Sequence, residues 1–291
     1  MPAMRLVSLL PGATEMLAAL GALDQLVGVS HECDEPPEVR TLPRVTVTPI
    51  DPTRSSDEIH AAVHQAVAEG RQAIGIEADA LLALRPDVIV TQMLCDVCAV
   101  ADGEAMRLAR VMDPPPRVVA LDGRTLDRVW DDIARLGASI GRTVEGKRLA
   151  DSLRADVTTL AERYHRTVPH RVVAVEWLDP LFLAGHWVPE MIAAAGGVDV
   201  GATAGSHSTV RDWAEVMALD PDVVLVILCG FDEARAREEL AAMPEGPAKA
   251  WLATQRVVVL DGNAYTSRPG PRLVEGIRQI GEALGGVNGE R

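Results

Sequence analysis

The residues best able to do chemistry gather in a few short polar stretches. Ser30-His-Glu-Cys-Asp34 sets four metal-ligating side-chain types side by side, and Cys95-Asp-Val-Cys98 is a CxxC clip. Two thiolates at that spacing can close on one soft metal or on each other as a redox pair, and the spacing also arises by chance. Cys33 and His31 would complete a Cys3His set around Cys95 and Cys98, suited to zinc or iron. A zinc ribbon needs a second tight knuckle, which the chain lacks. Cys229 ends the apolar run Val223 to Leu228 and reads as a small core residue. Gly185-His186-Trp187 and His207 come from the second half; Trp187 either stacks on a flat ligand or covers the helix beginning near Pro189. Glu15, Glu77 and Glu176 stand near strand ends, where a carboxyl in a partly dry cleft has its pKa raised and can act as acid or base. Arg268, in the polar loop before the last helix, either grips an anionic group or pairs with surface carboxylates. His60 and His64 share one face of an Ala- and Gln-rich outer helix, and His165 and His170 read as solvated.

The elements that position these residues show in an internal echo. Arg5-Leu-Val-Ser-Leu-Leu-Pro and the later Met16-Leu-Ala-Ala-Leu-Gly21 return as Arg171-Val-Val-Ala-Val-Glu-Trp and Met191-Ile-Ala-Ala-Ala-Gly196. Leu84-Arg-Pro-Asp-Val-Ile-Val90 returns as Leu219-Asp-Pro-Asp-Val-Val-Leu225, and Pro116-Arg-Val-Val-Ala-Leu-Asp-Gly123 as Gln255-Arg-Val-Val-Val-Leu-Asp-Gly262. Arg128 to Gly137 is matched by Arg272 to Gly281. Short Val/Ile/Leu runs alternating with helices suit parallel strands covered on both faces. The expected fold is therefore α/β, with two Rossmann-like lobes over 1–124 and 169–291. Between them, 125–168 carries apolar residues at steps of three and four and reads as one long connecting helix, or two nearly contiguous ones, bent at Gly137, Gly141 and Gly146. Ligands of open α/β sheets collect beyond the carboxyl ends of the strands. Most of the residues named above fall there, so two lobes on a helical strut are expected to face them across one cleft.

Composition narrows the classes. The chain has 291 residues, 48% hydrophobic and 24% charged, as in a folded globular protein. Its net charge of −14 repels nucleic acid and anionic lipid, so neither is an expected partner. No segment approaches the ~20 apolar residues of a membrane span, and no membrane insertion is expected. The start lacks a secretory signal pattern, which reads as cytoplasmic with reduced cysteines, or as periplasmic or extracellular where a leader has been removed. No phosphate-binding G-x-x-x-x-G-K-[ST], no G-x-G-x-x-G after the first strand, no G-x-S-x-G and no ordered catalytic triad is present.

The paired phrases Ala83-Leu-Arg-Pro-Asp-Val-Ile-Val90 and Ala218-Leu-Asp-Pro-Asp-Val-Val-Leu225 resemble class III substrate-binding proteins of ABC importers. Leu9-Leu-Pro-Gly-Ala-Thr-Glu-Met-Leu-Ala-Ala-Leu-Gly21, Leu26-Val-Gly-Val-Ser30, Pro180-Leu-Phe-Leu-Ala-Gly185 and Ala195-Gly-Gly197 resemble the vitamin B12 (cobalamin) branch, related to siderophore binders. The resemblance runs from Arg5 to Leu284. It implies a ligand held between lobes, little hinge motion, and docking to an ABC permease through one acid on each lobe, with Asp79 at the first position and Glu215 near the second. Corrin-holding members use aromatics from both lobes. Glu35 and Gln92 stand at matching places here, while Phe182, Tyr265 and Arg268 lie near expected positions. The candidate ligand-binding set is Glu15, His31, Gln92, Glu176, Phe182, His186, Trp187, Tyr265 and Arg268; the candidate metal set is His31, Cys33, Cys95 and Cys98. The expected function is binding of a cobalamin-like or other metal-containing small molecule. The alternatives are a cytoplasmic zinc or iron enzyme on the same scaffold, and a Cys95–Cys98 thiol switch.

Overall fold

The computed structural model describes residues 4–93 and 102–285. Cys95 and Cys98, and with them the CxxC part of the expected metal set and the thiol switch, lie outside the described residues. The chain divides into two compact units. One comprises Met1–Arg54, Ala61–Gly123 and Asp127–Ser152; the other comprises Ser55–His60, Arg124–Leu126 and Leu153–Arg291.

In chain order the first stretch holds β1 (Leu6–Ser8), α1 (Pro11–Ala19), β2 (Leu26–Val29), β3 (Thr46–Val47), α2 (Ser56–Ala68), β4 (Gly75–Ile76), α3 (Ala78–Leu84), β5 (Val88–Gln92), α4 (Asp102–Val111) and β6 (Arg117–Leu121). Four of these strands form a wholly parallel sheet in the order β2-β1-β5-β6, and β3 and β4 make a separate antiparallel pair. Leu6, Val7, Ile89 and Val90 are fully buried, as strands covered on both faces require. A core of Val7, Leu9, Val45, Leu81, Ile89 and Leu108 sits under this sheet.

Helices α5 (Leu126–Ser139) and α6 (Thr143–Tyr164) follow. The connecting segment is thus two helices. The chain turns at Ile140-Gly141-Arg142, with Gly141 at φ 76°, where a side chain would be strained. A Cβ added at Gly137 would lie 2.8 Å from Gly146 Cα, so the two glycines let the helices meet backbone to backbone beside the turn. The division between the units falls within α6, between Ser152 and Leu153.

The remaining elements are β7 (His170–Leu178), β8 (Leu181–Leu183), α7 (Val188–Ala194), β9 (Gly197–Asp199), β10 (Thr209–Val210), α8 (Trp213–Ala218), β11 (Val223–Val226), α9 (Glu233–Ala242), α10 (Pro247–Leu252), β12 (Val257–Val259), α11 (Gly262–Tyr265) and α12 (Leu273–Ala283). Strands β7, β11 and β12 run parallel, as expected. The sheet is nonetheless mixed. Strand β8 turns back antiparallel on the end of β7, β10 pairs antiparallel with β8, and β9 pairs parallel with the start of β7. The segment between β7 and α7 therefore contains a strand. Val173, Val175, Leu183, Val224, Val226 and Leu228 anchor the core of this unit. Among the described residues no helix is long and apolar enough to cross a membrane.

Candidate functional site

In the first unit the loop after β2 is a closed network. Thr46 Oγ1 accepts the His31 N–H at 2.9 Å and donates to Ser30 Oγ at 3.1 Å. Its hydroxyl proton is thereby committed, so the 2.7 Å contact with His31 Nδ1 assigns the ring proton to Nδ1 and the lone pair to Nε2. Burial, reinforced by the Arg44 guanidinium, holds the His31 pKa below its ordinary value. Arg44 Nη1 also donates to the carbonyls of Ser30 and Cys33, at 2.9 and 2.7 Å, which fixes the loop's path. Cys33 is 1% exposed, with Sγ 3.1 Å from Thr14 Oγ1. Glu15 is buried in α1, Gln92 is half-buried at the end of β5, and Asp79 is exposed in the first turn of α3. Among the described residues no three of His, Cys, Asp and Glu converge as a set that could hold a metal ion.

The second unit brings together groups far apart in sequence. Gly185-His186-Trp187 follows β8, and the loop after β9 folds back over it. His186 N donates to Ser206 O at 2.7 Å, Gly205 N donates to His186 O at 2.8 Å, and Gly185 N donates to Ser208 Oγ at 3.3 Å. Gly185 is required by space, since a Cβ there would lie 2.4 Å from Ser206 O. His186 sits at φ 53°, a left-handed conformation that is uncommon outside glycine. Its ring lies 5.5 Å, edge-on, from His207 and 5.7 Å from Trp187. Burial, with His207 and Arg124 adding to it, drives the His186 pKa down to about 4, so the imidazole is neutral near pH 7. Its Nε2 is shielded from solvent and meets no hydrogen-bond partner. A buried polar atom in that state costs about 1–3 kcal/mol, which a bound ligand can relieve. Strain, neutrality and a buried nitrogen without a partner coincide on one residue.

The other predicted residues of this unit are distributed around that centre. Trp187 is 4% exposed and its Nε1 donates to Thr266 O at 2.8 Å, so its ring belongs to the packed wall. Arg268 is buried and donates from Nη2 to Asn263 Oδ1 at 2.9 Å. Tyr265 is half-buried beneath the Arg272 guanidinium, 4.9 Å from the ring centre. Phe182 lies on β8 with its ring 6.0 Å from His60, which the sequence suggested was an ordinary outer-helix residue. Glu176 is half-buried on β7, and its carbonyl accepts the Cys229 N–H at 2.9 Å. Glu215 is exposed in α8 and closes a capping box with Asp212.

Three residues that sequence reasoning did not single out help build the site. Glu190 Oε2 accepts the Leu126 N–H at 2.6 Å, which pins residues 124–126 to α7. The signal was available: Glu190 precedes Met191 as Glu15 precedes Met16 in the matched helix. Asp199 Oδ1 accepts from Gly201 N and Ala202 N at 2.8 and 3.0 Å and starts the loop that carries His207. Burial raises its pKa to about 6 despite those bonds, and Oδ2 has no partner. Arg124 donates from Nη1 to His207 Nε2 at 3.1 Å.

A family profile described as periplasmic binding protein matches residues 6–264. The vitamin B12-binding protein of Vibrio cholerae serotype O1 is 26% identical over 286 residues, which span 96% of this chain and 88% of the relative. Among solved structures, the periplasmic vitamin B12 binding protein BtuF of Vibrio cholerae is 23% identical, with 97% of each chain covered and a TM-score of 0.69. The periplasmic heme-binding protein RhuT from Roseiflexus sp. RS-1, in apo form, is 24% identical, covers 97% of this chain and 98% of its own, and also has a TM-score of 0.69. At these identities the two structures bear on the fold alone.

Proposed function

The chain belongs to the periplasmic binding protein family, and from that premise we propose that it is the substrate-binding component of an ABC transport system whose cargo is a cobalamin-like or other metal-containing small molecule. The observation that carries the reading is His186. Its imidazole is neutral, its Nε2 has no partner, and it stands in a loop cluster at the antiparallel edge of a mixed sheet. A neutral imidazole is the commonest nitrogen donor to a metal. The relative named for vitamin B12 binds a molecule with a central metal ion, which supports that use of the imidazole. His31 is a second nitrogen donor of the same kind in the first unit, and Phe182 and Tyr265 supply apolar contact. Docking to a permease is assigned to exposed Asp79 and Glu215. On this reading the protein works outside the cytoplasmic membrane.

The experiment is titration of the purified protein with hydroxocobalamin and, separately, hemin, followed by calorimetry and the visible spectrum. Saturable binding with a change in the metal-sensitive bands that His186→Ala removes supports the reading. Neither heat nor spectral change with both compounds at about 50 μM overturns it.

A further inference from the structure

In a chain of net charge −14, guanidinium groups find carboxylates readily. Arg135 pairs with Asp122 and Asp132, Arg237 with Glu233, and Arg278 with Glu275 and Glu282. Others, such as Arg44 and Arg171, spend their guanidinium groups on backbone carbonyls. Arg124, among the described residues, pairs with no carboxylate, and its Nη1 donates to Nε2 of His207. A guanidinium can only donate, so His207 accepts at Nε2 and keeps its proton on Nδ1. The pair's remaining polar groups are then all N–H donors. Arg124 is half-buried and His207 exposed, so the donors stand on a supported base within reach of solutes.

That base is built from both sides. Glu190 holds the Leu126 N–H, two residues after Arg124. The paired backbone bonds between His186 and the Gly205–Ser206 peptide fix the residue next to His207. Positive charge held in place beside a neutral imidazole opposes a bare divalent cation and favours a planar or tetrahedral oxyanion, which guanidinium matches with parallel N–H bonds.

We infer that Arg124 and His207 form a subsite for an oxyanion, a carboxylate or a phosphate ester, carried by the bound small molecule. The inference rests on the metal-chelate reading of the same loop cluster. It adds that the cargo is an anionic chelate and that these two residues read its charge.

The test compares probes with and without the anion. Hydroxocobalamin, which has a phosphodiester, is set against aquohydroxocobinamide, which keeps the corrin ring and an exchangeable axial position and lacks it. Hemin, with two carboxylates, is set against its dimethyl ester. Each is titrated calorimetrically into the wild-type protein, Arg124→Gln and His207→Asn. The expected result is a loss of about tenfold or more in affinity for the anion-bearing member of one pair in Arg124→Gln, with the anion-free member unchanged. The wild-type protein should also prefer the anion-bearing member by a similar factor, a measurement that needs no variant. A response in the corrinoid pair identifies a phosphate ester, and one in the hemin pair a carboxylate. Equal affinity of wild type and both variants for the anion-bearing probe overturns the subsite and leaves the wider reading standing. Equal weakening of both members of a pair overturns it as well, because that is the mark of a merely structural role. Failure of the wild-type protein to take up any probe removes the functional reading and the subsite with it.

Discussion

The Arg171 backbone N–H donates to the Asp222 carboxylate at 2.8 Å, joining the first residues of β7 to the turn that feeds β11. Arg171 also reaches the carbonyls of Leu219 and Asp220. The first unit repeats the device. Arg5 N donates to Asp87 Oδ2 at 2.7 Å, and Arg5 Nε donates to Leu84 O. The sequence echo around Leu84 and Leu219 is therefore an echo of hydrogen bonds, one lock in each sheet. Both carboxylates are exposed, so each lock is worth little more than an ordinary bond. Asp87→Ala and Asp222→Ala should each lower stability by about 1 kcal/mol in urea unfolding. They share no partner, and the double variant should add the two losses to within about 0.5 kcal/mol.

That echo explains how much could be read in advance. Val/Ile runs flanked by Gly and Pro identified β1, β5, β6, β7, β11 and β12, because strands buried on both faces are apolar throughout. Strand β8 was missed because Leu181-Phe-Leu is short and is entered through Asp179-Pro180, which reads as turn. A three-residue run has no period to detect. His186 was found because residue type and loop position were enough. Its neutrality was not legible, since that depends on burial and on a guanidinium 62 residues earlier, brought close by the fold. Arg124 was missed for the same reason: its partner His207 is 83 residues away.

Gly185 makes the loop cluster possible. A Cβ there would stand 2.4 Å from Ser206 O and 2.7 Å from the His207 carbonyl carbon, and both are backbone atoms that cannot rotate aside. Gly185→Ala should push the two loops apart, lower stability by about 1–3 kcal/mol and weaken ligand binding measured by calorimetry. Gly103, in α4, has nothing within 4 Å of the same position. Gly103→Ala should leave binding unchanged and raise stability by up to about 1 kcal/mol, so the pair separates close approach from the general effect of adding a methyl group.

Asp199 should make the fold more stable in mild acid. Burial lifts its pKa from 3.8 to about 6, so the folded protein holds this proton more tightly than the unfolded chain does. Its contribution is full below the unfolded pKa and disappears as pH rises through about 6. The size is on the order of 3 kcal/mol. Asp199→Asn removes the charge while keeping an oxygen for Gly201 N and Ala202 N. It should be more stable than wild type at pH 8 and lose this component of the pH dependence, read from urea midpoints between pH 4 and pH 8.

His186 pulls in the opposite direction over nearly the same range. Burial, with the neighbouring His207 and Arg124 adding to it, depresses its pKa from 6.5 to about 4, so here the unfolded chain binds the proton more readily. Stability from this residue is full above the unfolded value and is lost as pH falls towards about 4, again on the order of 3 kcal/mol. Between these limits the two titrations offset one another, and the wild-type protein should show a flat profile that hides both. Asn tolerates the left-handed backbone at this position, so His186→Asn should fold and should unmask Asp199 as stability that falls with rising pH. Asp199→Asn should unmask His186 as stability that rises. The double variant should be flat again. A wild-type profile with a steep slope through this window, unchanged in both single variants, would show that neither group is as buried in solution as its surroundings imply.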